Sequence, residues 1–377
     1  MNSLPVTIVS GFPGAGKTAV IEHLVKNSAG LKIGVVSNDL QGANLLNAAM
    51  NLAATGAYNY LLIEASGDSE PTLVAEALSL NDDDDTEKLS GLYIDTMVTV
   101  VDAQNFQDDF QSVEEFRDRG PGSDIEDDRD IARVLIEQIE FANVILLNKT
   151  DLISEEEVGL LLAVLRKLNP DARVLDIEHG GVSAAGAINT GLYQADSAAA
   201  ADAWQSVLSS DETGSSDAFG ISSIVYRARR PFHPQRFWDF WMDGEFAPNI
   251  LRSKGYFWLA TKNSIAGFWS QVGQVLAAEP GGAWWAETPR AEWPSEDPEL
   301  MAELNSVWDE VWGDRRQELI LIGQDLDAPA TRKALDACLL SESEMKSGPS
   351  SWSQLEDPFG CWESGHDCDG SHDHDHG

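Results

Sequence analysis

Short apolar runs, separated by stretches of helical length, recur through the first half of the chain. Residues 6–9, 32–37, 60–63, 95–101, 144–147 and 173–177 are rich in Val, Ile and Leu. Their apolar side chains run on rather than alternate, the pattern of strands covered on both faces. Between them, a helix opening at Lys17-Thr18 continues over 19–26, the small-residue-rich 42–55 reads as helical, and 131–141 carries its apolar residues on one helical stripe. Residues 71–80 start a further helix with Pro71 in its first turn. Ser154 and Glu157 spell a capping box that opens a helix through residue 168. Residues 81–85 read as a solvated loop, and 107–130 as acidic and irregular. Strands alternating with helices predict an α/β fold, a doubly wound and mostly parallel sheet, over residues 1–194.

The pattern then changes. Residues 195–219 hold mostly Ala, Ser, Asp and Gly, which reads as a linker. From residue 220, strands are expected at 221–229, 250–261, 268–275 and 318–322. Helices are expected after Pro234, at 298–312 and at 328–340, giving a smaller α+β domain to residue 341. Most of the chain's 12 tryptophans fall here and are expected to form its core. Residues 342–377 are rich in Ser, Gly and Asp and read as a flexible, disordered His-rich tail.

Composition narrows the partners. With 63 acidic and 25 basic residues the net charge is −38, a field that repels phosphate backbones and anionic membranes. No apolar run approaches the roughly 18 residues of a membrane span. No signal-peptide layout opens the chain. A cytoplasmic protein binding neither nucleic acid nor membrane is expected. Three cysteines do not make a disulfide framework and read as thiols.

Chemistry concentrates at the ends of the predicted strands. Gly11-Phe12-Pro13-Gly14-Ala15-Gly16-Lys17-Thr18 follows the first strand and satisfies G-x-x-x-x-G-K-[ST] at every fixed position. Glycines let backbone N–H groups curl around phosphate oxygens, Lys17 reaches the β- and γ-phosphates, and the Thr18 hydroxyl ligates Mg²⁺. Glu64 ends the third strand, where a carboxylate holds Mg²⁺ or its water, and Gly67 follows with an N–H able to sense the γ-phosphate. Asp39 either faces the same region or caps a helix. Asn148-Lys149-Thr150-Asp151 ends the fifth strand. The Asp151 carboxylate accepts from guanine N1–H and its exocyclic amine, a pair adenine does not offer, so GTP is favoured over ATP. Asn148 bonds the base or ties the loop to the phosphate cradle, while the Lys149 stem lies along the ring. In the tail, Cys361, His366, Cys368, His372, His374 and His376 are favoured ligands for Zn²⁺ and related ions. The same segment also reads as plain solvated chain.

GFPGAGKT, EASG, VVDA, NKTD and GDRRQELILIGQDLD, in this order, resemble the CobW-type GTPases. The resemblance runs from about residue 6 to about residue 345 and extends into the His-rich tail. It implies a P-loop GTPase domain with a CobW C-terminal domain, acting as a GTP-dependent metallochaperone, with Zn²⁺ as cargo and a client protein to receive it. Lys17, Thr18 and Glu64 would serve hydrolysis. Gly11, Gly14, Ala15, Gly16 and Gly67 would serve the phosphates, and Asn148, Lys149 and Asp151 guanine. Ser66 stands where relatives have Thr. The family's Cys-x-Cys-Cys motif, between the second and third strands, is missing, since residues 39–59 hold no cysteine. The alternative is a metal buffer whose tail sequesters metal beside a weak GTPase. Self-association into a homo-oligomer is left open.

Overall fold

The computed structural model describes residues 3–28, 30–36, 43–67, 75, 91–115, 129–194, 219–244 and 247–362. The chain divides into two compact units, one built from the chain up to Ser223, the other mainly from Ile224 onward. In the first, β1 (Leu4–Gly11), β2 (Ile33–Val36), β3 (Tyr60–Glu64), β4 (Leu92–Asp102), β5 (Val144–Asn148) and β6 (Arg173–Asp176) form one sheet. The strand order is β2-β3-β1-β4-β5-β6, and every neighbouring pair is parallel. This is the doubly wound α/β sheet expected. β1 is flanked by β3 and β4, so the chain reverses its direction of winding beside β1, where such sheets open a crevice at their carboxyl edge.

Alternate residues of the buried strands feed two cores, one on each face. Val9, Tyr60, Leu62, Val98 and Leu146 share one with Val20 and Leu24 of α1 (Lys17–Asn27). Val6, Ile8, Leu61 and Ile63 share the other with Leu45 and Ala49 of α2 (Ala43–Ala54). Each such side chain contributes about 1.5–3 kcal/mol of burial, which fixes the register, because a one-residue slip would turn both cores inside out. That register carries Glu64 beside Val9 and Asp102 beside Asn148, collecting the strand-end polar residues at one edge.

The stretch expected to be irregular from 107 contains a short helix, α3 (Phe106–Phe110). Its Phe106 and Phe110 stack at 5.5 Å and are buried, an i,i+4 pair that the acidic neighbours mask in sequence. Helix α4 (Ile131–Glu140) and the capped α5 (Glu155–Leu168) stand where expected, and the short α6 (Ala184–Ala187) follows β6. In α5 both halves of the Ser154–Glu157 box are formed. Asp39, the 71–80 helix, the 81–85 loop and the 195–218 part of the linker lie outside the described residues, Ala75 apart.

The later chain builds a five-stranded sheet of order β10-β9-β8-β11-β7. Its strands are β7 (Ile221–Ala228), β8 (Ile250–Phe257), β9 (Ile265–Val272), β10 (Val275–Ala283) and β11 (Gln317–Gln324). The single strand expected at 268–275 is the end of one strand and the start of the next. Gly273, at φ 52°, turns the chain between them, and the alternation of side chains continues across so short a turn. Helix α7 (Pro234–Met242) lays Phe237 and Trp241 into an aromatic core, with Phe232 stacked on Phe237 at 4.3 Å and Trp241 on Trp269 at 4.7 Å. α8 (Pro298–Ser306) is shorter than expected, and Asp309, accepting from Val311 N and Trp312 N, shapes the loop that replaces its end. α9 (Ala328–Cys338) follows β11.

The tail also departs from expectation. Ser341 and Glu344 form a second capping box, starting α10 (Glu342–Ser347), and α11 (Pro349–Trp352) follows. Trp352 is buried against Trp258, and Phe359 and Trp362 pack on Phe257. Serine-rich composition reads as flexible chain, but the aromatic anchors bury enough surface to order the segment through residue 362. Among the described residues no helix is long and apolar enough to cross a membrane.

Candidate functional site

The glycine-rich loop leaves β1 at the sheet's carboxyl edge and enters α1 directly at Lys17, where the strand–loop–helix motif places the helix start. Gly11, Gly14 and Gly16 have φ of 135°, 80° and 103°, in the region that side chains avoid. At Gly16 a Cβ would strike the Asn148 Nδ2, so the third glycine serves close approach as well as conformation. No side chain caps the opening N–H groups of α1, which leaves the loop and helix start able to serve as an anion cradle. Lys17 is buried, and its Nζ donates to Gly11 O at 2.7 Å and Phe12 O at 3.2 Å, which holds the ammonium over the loop.

Thr18 and Glu64 meet. Thr18 Oγ1 donates to Glu64 Oε1 at 2.8 Å, and the Glu64 side chain is buried at the end of β3. Two strand-adjacent positions far apart in sequence thus place a hydroxyl and a carboxylate together beside the cradle. Ala65 N donates to Val9 O at 2.9 Å, extending the β1–β3 pairing past Glu64 and aiming its side chain. Gly67 lies against Pro13, where a Cβ would come within 2.7 Å of ring atoms.

On the other side of β1, Asn148 sits between two loops. Its Nδ2 donates to Ala15 O at 2.9 Å and its Oδ1 accepts from Gly180 N at 3.1 Å, both buried, so it clasps the phosphate loop to the loop after β6. Lys149, at φ 65°, turns its ammonium onto Asp102 Oδ2 at 2.6 Å. Asp102 is buried and also accepts from Gln104 N at 3.0 Å and Asn105 Nδ2 at 2.9 Å. Asp151 follows in a short 3₁₀ turn, 3.8 Å from the exposed His179 Nε2. Gly11, Gly14, Ala15, Gly16, Lys17, Thr18, Glu64, Gly67, Asn148, Lys149 and Asp151 therefore converge on one edge. Sequence reasoning gave no role to Asp102 or Gly180. The acid at the tip of β4 was a signal for the first, whereas nothing local marks Gly180.

Of the transition-metal candidates, Cys361 alone falls among the described residues. Cys361 is exposed, and His366, Cys368, His372, His374 and His376 lie outside the described residues. Among the described residues no three His, Cys, Asp or Glu side chains are placed to hold a metal. Cys338 is a core residue. Burial pushes its thiol up to about 12, and its Sγ donates to the carbonyls of Ala334 and Arg236 at 3.3 Å.

Comparison with known proteins agrees with this arrangement. The family described as "CobW/HypB/UreG, nucleotide-binding domain" matches residues 5–54 and 42–176. "Cobalamin synthesis protein cobW C-terminal domain" matches residues 221–339. The zinc-regulated GTPase metalloprotein activator 1 of Dictyostelium discoideum is 32% identical over 400 residues, covering 94% of this chain and 84% of its own length. A protein named as a zinc chaperone in Mycobacterium tuberculosis is 29% identical over 242 residues, covering 63% and 56%. Among solved structures, that of the Zn(II)-bound YjiA GTPase from E. coli covers 90% of this chain and 100% of its own, at 21% identity and a TM-score of 0.39. With the nucleotide-binding and C-terminal matches in sequence along one chain, and a relative aligned over nearly its whole length, this protein belongs to the CobW family.

Proposed function

We propose that the chain binds and hydrolyses GTP and acts as a metallochaperone, taking up Zn²⁺ and passing it to a client protein. The Thr18–Glu64 pair beside the glycine cradle is the observation that carries the nucleotide half. A hydroxyl and a carboxylate oxygen that converge at 2.8 Å, next to N–H groups able to hold phosphate, are the hard oxygen donors Mg²⁺ takes. Bound there, Mg²⁺ would neutralise charge on the β- and γ-phosphates. Lys17 adds a fixed positive charge over the loop, and Glu64 orients the Thr18 hydroxyl and accepts hydrogen bonds from water at the γ-phosphate. Asp151 supplies the acceptor pair for guanine, while Asn148 and Asp102 hold the two loops that present it.

The zinc half is supported by the names of the relatives from Dictyostelium discoideum and Mycobacterium tuberculosis. Its ligands in this chain are proposed as Cys361, His366, Cys368, His372, His374 and His376, because residues 39–59 hold no cysteine. The nucleotide-domain match comes in two segments that overlap at 42–54. Equilibrium dialysis with Zn²⁺, with and without a non-hydrolysable GTP analogue, tests the reading. Different zinc affinities in the two states are expected, and equal ones would remove the chaperone role.

Metal buffering is the second reading, resting on the Cys- and His-containing composition of residues 361–376. Deleting residues 363–377 decides between them. Complete loss of zinc binding with GTP binding and turnover indifferent to zinc in the full chain would make the protein a buffer.

A further inference from the structure

Asn148 holds one flank of the phosphate loop; the other flank is held from a helix that no motif marks. Gln138 lies on α4 with 0% exposure, and its Nε2 donates to Gly67 O at 3.0 Å. Its own carbonyl accepts from Thr99 Oγ1 at 2.6 Å, and Thr99 Oγ1 in turn bonds Ser10 Oγ at 2.9 Å. The end of α4 is fixed as well, since Asn169 Nδ2 donates to the carbonyls of Ile139 and Ala142, each at 2.9 Å. Gln138 is thus tied through its main chain to β4 and β1, and through its side chain to Gly67.

Gly67 needs such a tie. A glycine has both backbone angles free, so a loop turning on one holds its shape only if outside contacts set it. Among the described residues two such contacts stand out. Pro13 of the phosphate loop closes on the Cα, and Gln138 fixes the carbonyl. The Asn148 clasp acts at Ala15 and Gly16, whereas Gly67 lies against Pro13.

We propose that Gln138 is the positioning residue for Gly67. It sets the γ-phosphate side of the site and leaves the binding of the other phosphates to the loop itself. The proposal rests on the reading of Gly67 as the residue that faces the γ-phosphate. Its signature is a split between nucleotides. Losing the donor leaves a buried carbonyl unpaired, which corresponds to roughly a tenfold effect confined to ligands that carry a γ-phosphate.

The test uses the full chain with Mg²⁺ and Gln138→Met, which keeps the volume and removes the donor. GDP affinity is expected to stay within about twofold of wild type, while affinity for the non-hydrolysable GTP analogue falls about tenfold and single-turnover hydrolysis slows by at least as much. Equal losses for GDP and analogue, or no loss for either, would overturn the proposal, since a merely structural role weakens both alike. Gln138→Glu, which keeps the shape and replaces the donor with an acceptor, is read in the same way should the methionine variant not fold. A wild-type chain that binds no guanine nucleotide fails the parent reading and this one with it. A working wild type with an unsplit variant fails this one alone.

Discussion

The Asn148 clasp is the part of the site whose loss can be worked through most directly. Asn148→Ala removes two hydrogen bonds at once, Nδ2 to Ala15 O at 2.9 Å and Gly180 N to Oδ1 at 3.1 Å. Ala15 is fully buried and Gly180 buried, so neither backbone group gains water when its partner goes. Each unpaired group costs about 1–3 kcal/mol, and partial relaxation of the loops brings the expected total to about 2–4 kcal/mol. This is a thirtyfold to thousandfold weakening if it falls on the binding-competent loop, by RT per natural-log unit. Asn148→Asp separates the two bonds. It keeps an acceptor for Gly180 N but sets a carboxylate against Ala15 O, and it should lose at least as much as alanine. GDP titration by calorimetry, with urea denaturation of the nucleotide-free chain alongside, divides the effect between affinity and stability. If Asn148→Ala keeps GDP affinity within about twofold and leaves the urea midpoint unmoved, the clasp contributes nothing and the reasoning fails.

Other expectations follow from single contacts. Asp102→Asn removes the charge facing Lys149 Nζ at 2.6 Å; because the lysine is part-exposed, about 1 kcal/mol is expected, a roughly fivefold rise in the Kd for GDP by fluorescence titration. In the second unit, burial pushes the Glu344 carboxyl up. The Arg236 guanidinium and the Ser341 N–H and hydroxyl outweigh it and hold the group down to about 2. A depressed folded value means the contribution is fully present above the ordinary value of 4.5 and is lost as the pH falls toward 2. The gap in Tm between wild type and Glu344→Gln should therefore close over that window, and a gap that is flat with pH would refute it. Cys361 is exposed and Cys338 buried with a raised thiol. Iodoacetamide followed by mass spectrometry should label the first in the native chain and the second only after denaturation.

What could be read from sequence was contiguous. The P-loop and Asn148–Asp151 each put several functional groups within a few residues, and the strand before each sets its position. The cross-links were not readable in the same way. Asp102 to Lys149, Asn148 to Gly180 and Gln138 to Gly67 join elements through the sheet's strand order, which no local pattern encodes. Glu64 and Asp102 illustrate the ambiguity, since both are acids at the tips of apolar strands. Only the pairing of β1 with β3 on one side and of β4 with β5 on the other sends Glu64 to Thr18 and Asp102 to Lys149. Errors in the second unit have the same origin. Alternation continued through the turn at Gly273, and serine-rich composition hid the anchors Trp352, Phe359 and Trp362.

The cysteines decide how a metal signal would have to travel. Of the three, Cys338 is packed in a core and Cys361 is exposed, and Cys368, like Cys361, falls late in the chain. A ligand between β2 and β3 would lie one strand from Glu64, because β3 itself ends in that residue. This chain has no thiol there, so if zinc is bound at Cys361 and Cys368 the coupling to nucleotide would start from the end of the chain. Linkage makes this measurable from both ends, since a factor by which GTP changes zinc affinity must equal the factor by which zinc changes GTP affinity. Matching factors above about threefold would establish coupling without the β2–β3 thiols. A factor of one in both directions would mean that the tail captures metal independently of the phosphate cradle.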